Sequence, residues 1–392
     1  MKSEKSATKE NYHSAEEVIL VYSGEDYFDR LKDLIQSAKS TIHFQTYIFD
    51  EDSTGILIAD ELKNAAKRGV SIHLLIDAFG SGKLTDEFQQ ALIDSGIHLR
   101  MFEPFFSKNT FHLGRRMHHK IIVSDQKTAL IGGINIADKY RGSATEPAWL
   151  DYAILIRGEI SREAERICFR LLNRKFSNET IESSIPAVKE PMVRFRSNDR
   201  LRGRNQVSRS YFEAFRQAEK SITLVSSYFL PGKKIRRALK QAASRGIKVT
   251  IILAGKSDAP LLRRASYYLY SSLLKRGVEL YEWQPSVLHG KLAMVDGKWA
   301  TIGSFNLNHL SALSSIEMNV DVIDSNFAEK IRLHIEEIKN TGCKKISSTD
   351  FIEKNGVFSR LLNAGAYLIS RTGMRSLALF PWIFGGGKNK DI

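Results

Sequence analysis

Cysteine is scarce. Cys168 and Cys343 are the two in 392 residues, far apart and in no CxxC pair. That excludes a zinc ribbon and a disulfide-stapled scaffold, and it fits a reducing compartment. Long apolar runs are missing too. No stretch of 18 or more uncharged apolar residues occurs, so no membrane-spanning helix is expected. The opening "MKSEKSATKENYHSAEE" is polar and charged and lacks the apolar core of a signal peptide. Acidic residues are the minority charge: 44 against 58 basic ones leave a net charge of +14. Such a chain is drawn to anions, whether nucleic acid, an acidic membrane surface or a phosphorylated substrate. Hydrophobic residues are not lacking. At 43% they supply sizeable cores and exclude a disordered chain.

The length suggests two domains or one duplicated unit, and the sequence repeats itself in matching order. "SAKSTIHFQTYIF" (37–49) resembles "QAEKSITLVSSYF" (217–229), and "AAKRGVSIHLLID" (65–77) resembles "AASRGIKVTIILA" (242–254). "HHKIIVSD" (118–125) resembles "HGKLAMVD" (289–296), and "LIGGIN" (130–135) resembles "TIGSFN" (301–306). One offset of 171 residues carries His118 to His289 and Asn135 to Asn306. Each half alternates strand and helix patterns, which predicts an α/β fold of two similar domains with mixed sheets flanked by helices. The expected division is a flexible N-terminus over 1–16, a first domain over 17–172, a linker over 173–195, a second domain over 196–345 and a tail over 346–392.

Side chains two apart on a strand share a side. His118 and Lys120 therefore pair, as do His289 and Lys291, while His119 points the other way into a packed or solvated role. Each lysine leads an apolar run that closes on Asp125 or Asp296, and Asn135 or Asn306 follows ten residues later. Phosphodiester transfer wants this set. Two lysines and two asparagines can hold the anionic oxygens and the charge that builds in the transition state. One imidazole can attack phosphorus while the other, protonated, serves the leaving alkoxide. No metal and no cofactor is required. A single HxKxxxxD fixes only three positions and can decorate a strand edge by chance; two copies at equivalent places in a duplicated chain favour chemistry. His43, His73, His112, His309 and His334 lack such a pattern and read as structural or surface residues.

At these residues the chain resembles the phospholipase D superfamily, whose hallmark is HxKxxxxD followed by GG/GSxN, over most of residues 17–325. Within it, "YIFDEDSTG" (47–55), "RRMHHKIIV" (115–123), "LIGGINIADKY" (130–140), "SSYFLPG" (226–232) and "LHGKLAMVDGKWATIGSFNLN" (288–308) look most like bacterial cardiolipin synthases of the type without N-terminal membrane helices. The resemblance implies an active site at the interface of the two domains. It implies a ping-pong transfer from one phosphatidylglycerol to another through a phosphatidyl-histidine, releasing glycerol. It implies His118 as nucleophile and His289 as acid and base, with the opposite order left open by the residues alone. Lys120, Lys291, Asn135 and Asn306 carry over as phosphate ligands, and Asp151 and Glu317 as acids that orient the histidines. Asp125 and Asp296 belong to the catalytic motifs, bracing their loops rather than doing chemistry. One departure, "NHLSALSSIE" after the second asparagine with no arginine, bears on the acceptor pocket and not on the phosphotransfer centre. The alternative is a phosphodiesterase of the phospholipase D type that hydrolyses phospholipid or nucleic acid.

Three segments mix aromatic or aliphatic residues with basic ones: "MFEPFFSKNTFHLGRR" (101–116), "PLLRRASYYLYSSLLKR" (260–276) and the tail from Val357 to Phe384. The tail is too interrupted to span a bilayer and fits a segment lying in the interface, with Trp382 near the headgroups. The expected partners are anionic phospholipid and a membrane surface, with nucleic acid disfavoured. The expected state is a monomer held peripherally on the cytoplasmic face of the cell membrane.

Overall fold

The computed structural model describes residues 12–103, 106–107, 110–111, 116–172, 191–199, 203–349, 351 and 356–384. The chain folds as two α/β halves. The first runs β1 (His13–Ser14), β2 (Glu17–Tyr22), α1 (Glu25–Ser37), β3 (Thr41–Thr46), α2 (Ser53–Lys67), β4 (Ser71–Asp77), α3 (Asp86–Asp94) and β5 (His98–Phe102). It continues with the hairpin β6 (Phe106–Ser107) and β7 (Thr110–Phe111), then β8 (Arg116–Met117), β9 (Lys120–Ser124), β10 (Thr128–Gly132), α4 (Asp138–Arg141), β11 (Tyr152–Arg157) and α5 (Ser161–Leu172). The second runs β12 (Met192–Asp199), β13 (Arg204–Asn205), α6 (Gln206–Gln217), β14 (Ser221–Ser226), α7 (Lys233–Ser244), β15 (Lys248–Lys256), α8 (Pro260–Leu274) and β16 (Glu279–Val287). Then come β17 (Lys291–Val295), β18 (Trp299–Gly303), α9 (His309–Leu313), β19 (Ser315–Ile323), α10 (Ser325–Thr341), β20 (Cys343–Ile346) and α11 (Val357–Phe384).

The first sheet has the order β2-β11-β10-β9-β3-β4-β5, and the second contains β12-β19-β18-β17-β14-β15-β16, so the duplication is complete strand for strand. In both, the strands joined by the long helices run parallel and the rest antiparallel, as crossover helices require. The alternation of each strand divides the core. Ile122 and Leu130 pack under α1 and α2, whereas Ile121, Val123 and Ile131 face a shared core with Leu292, Met294 and Ile302 of the other half. The two sheets are thus welded by apolar burial at their common face.

Two expected boundaries move. His13 and Ser14 of the supposedly flexible N-terminus pair with Val193 and Met192 in the second half's sheet, and Tyr12 is buried there. β12 begins at Met192, inside the segment read as a linker, because its side chains complete the edge next to β19. Short strands at a sheet edge show no period in sequence. Of the aromatic-basic segments, 101–116 lies mostly outside the described residues, as does His112. Residues 260–274 form α8, which buries Ala265, Leu269 and Leu273 and leaves Leu261 and Tyr268 exposed. No described helix is long and apolar enough to cross a membrane.

Candidate active site

The two halves exchange backbone to build the site. β8, the residues just before the first motif, runs parallel to the start of β19 of the other half, with Met117 opposite Ile316. The N–H groups of His118 and His119 both donate to Ile316 O, at 2.9 and 3.1 Å. The second motif mirrors this. Leu150 bridges Leu288, and His289 N donates to Leu150 O at 2.8 Å. Each histidine is thereby hung beside the acid of the opposite half.

His118 Nδ1 lies 3.0 Å from Glu317 Oε2, and His289 Nδ1 lies 2.6 Å from Asp151 Oδ2. Both acids are wholly buried. An imidazole held at Nδ1 by a carboxylate presents Nε2 on its far side, in a fixed tautomer and orientation. Lys120 Nζ donates to His118 O at 2.5 Å, and Lys291 Nζ donates to His289 O and sits 3.6 Å from Asp151 Oδ2. The centres share one field. Burial and then Lys291 push Lys120 down to about 7. Burial and then Lys291 push His289 down to about 4. Burial also lowers His118, against the pull of Glu317, with both lysines adding to the depression. Charges that act across the halves in this way lie close together at the seam. Burial raises Asp151, but Lys291 and His289 outweigh it and hold the carboxyl below the usual range. In Glu317, His118 does the same against burial.

Asn135 and Asn306 are buried, and each is pinned through its side-chain oxygen. Asn135 Oδ1 accepts from Ile48 N at 3.1 Å and its amide donates to Tyr140 OH at 2.7 Å; Asn306 Oδ1 accepts from Ser227 Oγ at 2.7 Å. The residue two before each asparagine explains GG against GS. A Cβ on Gly133 would stand 2.4 Å from Asp151 Oδ1, whereas Ser304 at the same place in the second half donates its hydroxyl to Glu317 Oε2 at 2.5 Å.

His119 is buried with Nε2 2.7 Å from Gln45 Oε1, and burial pushes it down to about 3, so it packs and does not reach the pocket. Asp125 and Asp296, counted with the catalytic motifs, sit at the opposite ends of β9 and β17. Five residues of strand put them about 16 Å from the lysines. Asp125 accepts from the N–H groups of Lys39, Ser40 and Thr41, and Asp296 from those of Glu219, Lys220 and Ser221. Both adopt positive φ, 51° and 55°, at the turn they close. Their place is in the scaffold. Aromatic rings complete the pocket: Tyr47 lies 4.9 Å from the His118 ring, and Tyr140 and Tyr228 lie 5.4 and 6.1 Å from that of His289. Tyr47 and Tyr228 fall one place apart in the first pair of repeats, Tyr47 aligning with Ser227 and Tyr228 with Ile48, and sequence reasoning passed over both rings. Among the described residues, no group of three or more His, Cys, Asp or Glu side chains is arranged to hold a metal ion.

Two crossed histidine–acid pairs and two ammonium groups, on a duplicated α/β fold, define a phosphodiester-transferring enzyme of the phospholipase D-like class. The chain belongs to the PLD-like cardiolipin synthase family, whose description is "Cardiolipin synthase, PLD-like domain" and whose model matches residues 31–167 and 211–339. Cardiolipin synthase B of Escherichia coli K12 is 32% identical over 350 residues, covering 86% of this chain and 84% of that protein. Minor cardiolipin synthase ClsB of Bacillus subtilis is 30% identical, covering 82% and 81%. The crystal structure of a phosphatidylserine synthase from Haemophilus influenzae shares the fold, with a TM-score of 0.75 at 15% identity over 94% of this chain and 96% of that one.

Proposed function

We propose that the protein is a cardiolipin synthase that joins two phosphatidylglycerol molecules and releases glycerol. The reciprocal His118–Glu317 and His289–Asp151 pairs, at 3.0 and 2.6 Å, carry this reading. In the first step, His118 Nε2 attacks the phosphorus of one phosphatidylglycerol. The bond to the headgroup glycerol breaks, and His289 gives its proton to the leaving oxygen. In the second step, His289 takes a proton from a hydroxyl of the second phosphatidylglycerol. That oxygen attacks phosphorus and expels His118, which regenerates both groups.

The depressed proton affinity of His118 suits a nucleophile. A neutral His118 is a competent nucleophile. His289 gains the proton it must donate when the anionic diester enters and offsets the two lysines that hold its affinity down. Lys120, Lys291, Asn135 and Asn306 receive the non-bridging oxygens. The apolar outer stripe of α11 and its Arg371 and Arg375 support a peripheral seat on an anionic bilayer, with the pocket fed from the lipid surface.

The test is purified protein on phosphatidylglycerol vesicles, followed by mass analysis of the lipids. Cardiolipin and free glycerol are expected; phosphatidic acid alone would replace the transferase with a hydrolase. His118→Ala is expected to abolish turnover while lipid binding persists, and turnover by that variant would overturn the assignment of the nucleophile. Plasmid nicking is expected to be absent.

A further inference from the structure

The duplication breaks at the helix N-termini of α2 and α7, and a cavity opens at the second. In the first half, the N-terminus of α2 is closed by two of the chain's own carboxylates. Asp52 Oδ1 accepts from Gly55 N at 3.0 Å. Asp138 Oδ1 accepts from Thr54 N at 2.8 Å and from Ser53 Oγ at 2.7 Å. Asp52 Oδ2 in turn accepts from Asp138 N at 2.7 Å.

The second half keeps the backbone and loses the acids. An offset of 180 residues carries Thr46, the end of β3, to Ser226, the end of β14, and Asp52 to Gly232. The offset of 171 residues that relates Asn135 to Asn306 carries Asp138 to His309, the first residue of α9. The hydrogen bond from Asp50 N to Ile136 O recurs as Leu230 N to Leu307 O, both at 2.9 Å, which fixes the equivalence. Ser53 and Thr54 become Lys233 and Lys234, so α7 begins with two cations at the positive end of its dipole and has no side-chain cap.

Where the first half has carboxylates, the second has a cavity of about 600 Å³ bounded by α6, the start of α7 and α9. Lys233, Lys234 and Arg209 stand on its polar side, and its one acid, Glu213, is held by Arg209 at 2.6 Å. Phe212, Phe305 and Leu307 form its apolar side. The last two flank Asn306, so the cavity backs onto the loop of the catalytic pocket.

We propose that this cavity is a second site for an anionic phospholipid, distinct from the catalytic pocket. The lipid phosphate takes the place that Asp52 and Asp138 fill in the first half, and the apolar body lies against Phe212, Phe305 and Leu307. The inference rests on the phosphatidyl-transfer reading only in naming a phospholipid as the amphiphile. An exposed cluster of cations beside an apolar floor selects such a molecule over free phosphate.

The test restores the missing acids. His118→Ala protein, which does no chemistry, is titrated calorimetrically with monomeric dihexanoyl phosphatidylglycerol and is expected to bind two molecules per chain. His118→Ala/Gly232→Asp/His309→Asp is expected to bind one, with a thermal midpoint equal or higher because α7 regains its caps. The same stoichiometry in both proteins overturns the proposal. Lys233→Gln/Lys234→Gln on the His118→Ala background alters only exposed side chains and is expected to weaken the second site about tenfold or more; unchanged affinity there counts against the proposal whether or not the carboxylate variant folds. Inorganic phosphate is expected to bind the cavity about a hundredfold more weakly than the lipid, and equal affinity would overturn the lipid assignment. Glycerol release from vesicles tests the catalytic reading separately, since counting sites requires no turnover.

Discussion

Lys120 and Lys291 are both buried; burial loosens each one's hold on its proton, and the Lys291 charge loosens that of Lys120 further. That arrangement costs stability in the empty protein and is repaid only by an anion. The sign follows from linkage. Lys120 titrates at about 7 when folded and near ~10.4 when unfolded. Between those values the unfolded chain binds the extra proton, so stability rises with pH across the window and the full penalty is present below it. Lys120→Met is therefore expected to raise the thermal midpoint most below about pH 7, to flatten its rise toward pH 10, and to abolish transfer. Thermal unfolding from pH 5 to 10 checks this, and a lower midpoint throughout would refute it. At this scale the histidines, lysines and asparagines were legible in the sequence because the duplication printed them twice at one offset. Asp151 and Glu317 were reached only through family resemblance. Each serves the histidine of the other half, and no local spacing records a contact made across 138 or 199 residues.

Strands and helices show the same division between what patterning states and what only folding reveals. α1 and α2 follow the amphipathic period closely, β3 and β4 are β-branched and apolar runs buried almost throughout, and the matching strand order follows from the repeats. β1 and β8, two residues each, are too short to carry a period, yet β8 hangs His118 beside Glu317. The motif aspartates close each HxKxxxxD and read in sequence as braces of their loops, and at the element scale they are turn anchors. Asp125 ties the entry of β3 to the exit of β9 through three backbone N–H groups and the Ser40 hydroxyl, at 2.7–2.9 Å. Asp125→Ala is expected to destabilise the fold by about 2 kcal/mol or more and to change the rate per folded molecule by less than about tenfold. Urea unfolding set beside active-site titration separates the two effects; a loss of rate with unchanged stability would return Asp125 to the chemistry.

The whole molecule is one body because the halves trade backbone at β8 and at Leu150 and share a core, so its outer faces are fixed relative to the pocket. α11 lies along α8 and α9, burying Asn363, Ala366, Tyr367, Ser370 and Met374 at helical spacing, with Tyr367 stacked 4.6 Å from Tyr268. Its opposite stripe turns outward: Phe358 is 74% exposed, Leu361 65% and Ile369 63%. Of the twelve large apolar side chains exposed among the described residues, six lie on this helix, a concentration that scattered surface residues do not produce. Trp382, placed at the headgroups on sequence grounds, falls where side chains are outside the described residues. A helix that packs by one face and leaves an apolar stripe beside arginines suits the bilayer boundary, where burial of the stripe and attraction to anionic lipid add. Phe358→Ser/Leu361→Ser/Ile369→Ser touches none of the packed positions. It is expected to keep the thermal midpoint and the turnover of monomeric short-chain lipid, and to bind phosphatidylglycerol vesicles about tenfold or more weakly. The parent's binding should also weaken as salt rises, because the net charge of +14 contributes through screened attraction. Vesicle sedimentation at two salt concentrations reads both effects. Undiminished binding by the triple variant would place the membrane contact on another face of the molecule.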